Sequence, residues 1–242
     1  MNAAPTPVTI ALRIPGRWSH PRELMGRLPA GHRLTPEALI LPDETPIEFG
    51  AVRADDQFAQ IFRSSCRQPP TAEELATVDG YTVNVFLSGP GGSMDVARTM
   101  MRAAAAVVRA GGAGVFIDNS ALAHGAEHWL AMTEDGGPDA LSFAFVGIIA
   151  ERTDVWTMGM HVLGLRDVVM KRADADDFDI VEVIRYLCRE EKPVEDGHVL
   201  ADLDGPRFRA VVEDGEGPAG SPMYNPFGRL RLVSLRDIAE RN

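Results

Sequence analysis

Lysine is nearly absent from this 242-residue chain. Lys171 and Lys192 are the only two among 24 cationic side chains, so arginine carries almost all the positive charge. Positive charge is itself scarce: 35 carboxylates leave a formal net charge of -11. A phosphate-binding surface works by releasing counterions from clustered cations, so nucleic acid is not the expected partner. An anionic membrane surface is excluded on the same ground. A basic protein remains open as a partner, because opposite potentials steer encounter. Cysteine is scarce too. Cys66 and Cys188 lie far apart in amphipathic patterns, which excludes a Cys-x-x-Cys motif and a disulfide framework. No apolar run reaches the roughly 18 residues of a membrane helix. Met1 to Pro7 carries no cationic start and no cleavage-type segment. A cytoplasmic protein is expected, and the abundance of arginine and alanine points to a bacterial coding sequence.

What is present suits a large core, since 45% of the residues are hydrophobic. Residues 8–14 alternate like a strand, and Pro21 to Leu28 reads as a short helix with proline at its first position. Residues 38–41 and 46–52 read as strands around a turn. Asp55 or Asp56 is expected to cap a helix running to Cys66, and Thr71-x-x-Glu74 is a capping box. Residues 81–87, the turn Gly89-Pro-Gly-Gly-Ser93, a helix over 94–110 and a strand over 113–117 form a βαβ candidate. In the second half, residues 141–150 and 155–163 read as strands, followed by 167–171, a helix over 176–189, and strands at 199–203, 208–212 and 230–233. Asp214 to Pro226 reads as a surface loop. The expected class is α+β: a mixed sheet with a βαβ unit in the N-terminal half, and a mostly antiparallel C-terminal sheet with one long helix. A breaker-rich seam at 133–139 divides residues 1–134 from 135–242, as two joined halves or as one domain.

Three constellations carry candidate chemistry. Gly89, Gly91, Gly92 and Ser93 stand between a strand and a helix, where free amides could hold an anion or a nucleotide. The spacing fits neither a P-loop nor a dinucleotide fingerprint. The segment resembles the Ser-Pro-Gly-Gly-Ser oxyanion turn of the Clp-type serine proteases. That resemblance implies a hydrolase, but the matching nucleophile position holds Ala123, whose methyl group cannot attack a carbonyl. The second constellation, His124-Gly-Ala-Glu127-His128, matches the His-x-x-Glu-His pattern of inverted zinc peptidases. On a helix His124 and His128 would share a face and could bind zinc, with Glu127 polarising a metal-bound water. The third is Trp156-Thr157-x-Gly159-Met160, followed by Leu163-Gly164-x-x-Asp167 and an apolar strand. Physically, Gly159 suggests a close approach or a bulge, and Gly164 a turn with positive φ.

This third pattern resembles a family of uncharacterised bacterial proteins, domain of unknown function 4261, over roughly residues 80–235. The likeness includes the strand at Gly114 to Asn119, and Asp196-Gly197-His198 opening a strand. Asp167 stands where glutamate is commoner. The resemblance implies a fold and a bacterial setting and names no reaction. The acidic positions Asp174, Asp176, Asp177, Asp179, Glu182, Glu190, Glu191, Glu195 and Asp196 lack the glycine and closing glutamate of an EF-hand. The function expected from these readings is a non-catalytic accessory or protein-interaction factor of immunity type, binding a basic partner and needing no cofactor. Alternatives are a hydrolase using His124, Glu127 and His128, with or without zinc, and anion or nucleotide binding at Gly89 to Ser93. The oligomeric state is open.

Overall fold

In a computed structural model of the chain, residues 7–175, 180–189, 193–201, 207–215 and 224–235 are described. The fold is α+β. Alternation at Ile10, Leu12 and Ile14 buries one side of β1 (Thr9–Gly16), and Pro21 opens α1 (Pro21–Arg27). Strands β2 (Arg33–Leu34), β3 (Ala38–Ile40) and β4 (Pro46–Arg53) follow as a meander. Of the two aspartates that could start α2 (Phe58–Ser65), Asp55 does so. Its Oδ1 accepts from the amides of Gln57 at 2.8 Å and Phe58 at 2.7 Å. The capping box forms at α3 (Ala72–Asp79), with Thr71 and Glu74 each satisfying the other's amide. Next come β5 (Val83–Pro90), α4 (Met94–Arg109) with Ser93 as its cap, β6 (Gly114–Ile117) and β7 (Leu122–Gly125).

The first sheet has the order β2-β3-β4-β5-β1-β6-β7, and every neighbouring pair is antiparallel. The strand–helix–strand unit of β5, α4 and β6 is therefore split. Its two strands run parallel but do not pair, because β1 lies between them and bonds to both. Sequence order hides this, since β1 is some seventy residues from β5 and the pairing is set by the shared apolar face under α4.

Two helices follow, α5 (Ala126–Asp135) and α6 (Pro138–Phe145), then β8 (Gly147–Ala150) and β9 (Asp154–Met158). Here the structure corrects two readings. The apolar run at 141–150 is half helix: Pro138 opens a helical turn, and Leu141, Ala144 and Phe145 are buried all round it. A continuous apolar run does not distinguish a buried helix from a buried strand. The alternating run at 155–163 stops being a strand at Met158. Gly159 adopts φ +103°, and a 3₁₀ turn over Met160–Leu163 replaces the expected extension. The breaker-rich stretch at 133–139 covers the end of α5, a two-residue turn at Gly136 and Gly137, and the start of α6.

The chain continues through β10 (Asp167–Lys171), α7 (Arg172–Ala175), α8 (Ile180–Arg189), β11 (Val199–Ala201), β12 (Arg207–Glu213) and β13 (Arg229–Ser234). The second sheet has the order β11-β12-β13-β10-β9-β8 and is mixed, with β10 and β13 parallel. The start expected for the long helix at 176–179, the end of the strand at 202–203, most of the 214–226 loop, and Asp176, Asp177, Asp179, Glu190 and Glu191 lie outside the described residues. One cluster of buried apolar side chains, from Ile10 through Met100 and Phe145 to Leu232, joins both sheets and the helices between them. No helix among the described residues is long and apolar enough to cross a membrane.

Candidate functional site

The glycine turn is built by crowding and spent on the protein itself. A side chain at Gly89 would run into the Met100 sulfur, and one at Gly91 would come within 2.9 Å of Val8 and 3.0 Å of Ile10. The amide of Gly91 donates to Val8 O and that of Gly92 to Val162 O, both at 2.9 Å. The Ser93 hydroxyl accepts from Val96 N at 3.4 Å as the cap of α4. Two of the amides that could have held an anion are thus already bonded to carbonyls, and the serine oxygen is turned to the helix.

The His-x-x-Glu-His stretch is not one helix. His124 sits on β7, and α5 begins at Ala126, so Glu127 and His128 lie on a different element. The expected shared helical face of His124 and His128 does not form. The reason is Gly114 and Gly125, which pair directly across β6 and β7 and hold residues 122–125 in the sheet. His124 is buried, with its ring near those of Trp129 and Phe143. Its Nε2 lies 3.0 Å from Ala144 O, a carbonyl that can only accept, so Nε2 carries the proton. Its Nδ1 is buried with no hydrogen-bond partner, and burial pushes the ring's pKa down to about 4. Glu127 is exposed, and its backbone amide donates to Glu74 Oε1 at 2.9 Å. Glu74 therefore caps α3 through Thr71 and the first turn of α5 through Glu127. A side chain at Gly125 would stand 2.5 Å from that carboxylate. Among the described residues no group of three or more His, Cys, Asp or Glu side chains is placed to share a metal ion.

The third constellation is the most closely knit. Asp167 is buried at the start of β10, and its Oδ1 accepts from the Thr157 hydroxyl at 3.1 Å and Met160 N at 3.3 Å. Its Oδ2 accepts from Asn225 Nδ2 at 2.8 Å. The Thr157 oxygen in turn accepts from Val168 N at 2.8 Å, and Asn225 also donates to Leu165 O and accepts from Phe227 N. Burial raises the Asp167 pKa to about 6, against the pull of those donors and of Arg229. The Arg229 guanidinium lies 5.6 Å from the centre of the Trp156 ring. Gly159 and Gly164 bracket the 3₁₀ turn with φ of +103° and +81°. A side chain on Gly159 would strike Phe145 O, and one on Gly164 would lie 2.5 Å from Gly92 O. Both positions need glycine for its left-handed backbone and for space.

These groups converge on one joint. The Gly92–Val162 bond ties the start of α4 to the motif turn. Asn119, after β6, accepts from Ala11 N, donates to Thr9 O, and has its Nδ2 3.4 Å from His161 Nε2. His161 is itself buried and pushed down to about 4. The turn that follows β9 thus bolts the second sheet to the first. Sequence reasoning found Thr157, Gly159, Gly164 and Asp167, but not Asn225, which lies 58 residues beyond Asp167, nor the second bond of Glu74. It also missed Arg67, whose guanidinium donates to Phe143 O at 2.7 Å and Val146 O at 2.6 Å at the end of α6. No family model, curated protein or solved structure matches this chain.

Proposed function

We propose that the protein is a non-catalytic accessory factor that works by binding a basic partner protein. The observation that carries this reading is the commitment of most of the candidate chemical groups to the fold. The glycine-turn amides, His124 Nε2 and both oxygens of Asp167 are bonded inside the protein. A group used this way would have to break its own joint to act on a substrate. The net charge of -11 supplies a long-range attraction for a cationic partner. The likeness to domain of unknown function 4261 belongs to the same proposal. Its signature residues build the joint between the sheets, which is a reason for a shared pattern that requires no shared reaction.

Titration calorimetry with polyarginine and with polyglutamate tests the proposal. Saturable binding of polyarginine that weakens with salt, and none of polyglutamate, is expected. Absence of polyarginine binding at low salt overturns it. So does a hydrolytic turnover of the purified protein that His128→Ala abolishes.

A further inference from the structure

The outer face of the first sheet carries a cleft of about 330 Å³ that belongs to none of the constellations above. Phe58 from α2 and Phe116 from β6 line it, their rings meeting edge-on at 5.7 Å. Ile61, one turn along α2, also lines it and is 45% exposed. The charged lining is Arg13, Asp55, Asp56 and Asp118. Arg13 is not free to take an anion alone: its Nε meets both Asp118 oxygens, at 2.8 and 3.0 Å, and its guanidinium lies 5.9 Å from the Phe86 ring. That pair is neutral as a unit. Asp55 uses Oδ1 to cap α2. The cleft thus sets three carboxylates, Asp55, Asp56 and Asp118, against the single cation Arg13, beside an aromatic and aliphatic wall.

The lining selects its ligand by exclusion. An anion meets net repulsion. A neutral apolar group would strip water from two carboxylates and return nothing. A cation on an apolar stem satisfies both parts, with the stem on Ile61 and the phenyl rings and the head at the carboxylates. Phe58 and Phe116 are only 6% and 8% exposed, so they offer ring edges more than open faces, and a planar guanidinium fits by its fork geometry toward the carboxylates. The volume is at the small end for ligand sites and suits one side chain. We propose that this cleft receives an arginine side chain of the basic partner. The proposal rests on the reading in the preceding subsection and adds the place and the chemistry of contact.

A fluorescent hexa-arginine peptide is the probe, with affinity read by anisotropy at low salt. Asp56→Lys is expected to weaken binding about tenfold. Glu134→Lys, the same charge change on α5 outside the cleft, is expected to change it less than about twofold. Circular dichroism reports whether each variant is folded. On the native protein, NMR resonances of Phe58, Ile61 and Phe116 are expected to move on peptide addition, a readout that needs no variant. Equal weakening by both variants, or unmoved cleft resonances, overturns the site while leaving the basic-partner reading intact. If the unaltered protein does not bind the peptide at all, the reading itself fails and the site with it.

Discussion

Asp167→Asn isolates the most unusual charge in the joint. A carboxyl that titrates near 6 in the folded chain, instead of the ordinary 3.8, costs about 3 kcal/mol to ionise there. The direction follows from proton counting. Between pH 3.8 and 6 the folded state holds a proton that the unfolded state has released, so this group makes stability fall as pH rises through that window. Below 3.8 the contribution vanishes, and above 6 the full cost remains. Asparagine cannot ionise, and its oxygen still accepts from Thr157 and Met160. Its amide, however, faces the Nδ2 of Asn225, donor against donor, where 2.8 Å now separates donor from acceptor. The absolute stability of the variant at pH 7 is therefore a difference of opposing effects. The informative quantity is the gap between variant and native protein in urea unfolding, followed from pH 4 to pH 7. It is expected to shift by about 2 kcal/mol in favour of the variant over that range, with every other titration cancelling. A gap that stays constant, or moves against the variant, refutes the argument. It would mean that the donors around Asp167, with Arg229, outweigh its burial.

The two buried histidines act in the opposite sense. His124 and His161, at about 4 against an ordinary 6.5, are neutral when folded, so unfolding takes up protons and stability falls as pH drops from 6.5 to 4, by about 3 kcal/mol each; His161→Leu is expected to flatten that acid limb in pH-dependent urea unfolding. Glu74→Gln, which keeps the shape but removes the charge that caps two helix starts, is expected to cost about 1–2 kcal/mol and to lower the thermal midpoint. Gly164→Ala adds a methyl against Gly92 O at a residue with positive φ, and is expected to cost about 3 kcal/mol or more in urea unfolding, while Gly26→Ala on α1, where nothing lies within 4 Å, is expected to leave stability unchanged or slightly raised.

Local signals in this sequence were readable because their partners are near in the chain. Thr71 and Glu74 announce a helix start three residues apart, and Ile10, Leu12 and Ile14 show their common face by spacing alone. The order of the first sheet was not readable, because β1 inserts between β5 and β6 through pairings that span the whole N-terminal half. The 141–150 run misled for a different reason: burial on every side leaves no periodicity to separate helix from strand. The motif glycines show the same boundary. Their identity marked a special backbone, but Gly159 was expected within a strand and in fact ends one, because the obstacle that forbids a side chain there is Phe145 O, a backbone atom from another element. Asn225 carried no local signal at all. Its neighbours are Tyr224 and Pro226 in a loop, and only the fold reveals that it closes the hydrogen bonds around Asp167.

The joint gives the buried polar residues of this chain a structural task. Two sheets that share a core through short turns need polar groups at the crossing, since turn backbone is left with donors and acceptors that no strand satisfies. Asp167, Thr157, Asn119 and Asn225 meet that need here, and the glycines let the turns come close enough to use them. Residue types that hold a substrate in an enzyme here hold another turn of the same chain. On the outer face of the first sheet Asp55 caps α2 and Arg13 pairs with Asp118. Asp56 has no structural partner among the described hydrogen bonds and ion pairs, and Ile61 beside it is 45% exposed. A surface group with no bond inside the fold is where the proposed encounter with a basic partner has something to act on.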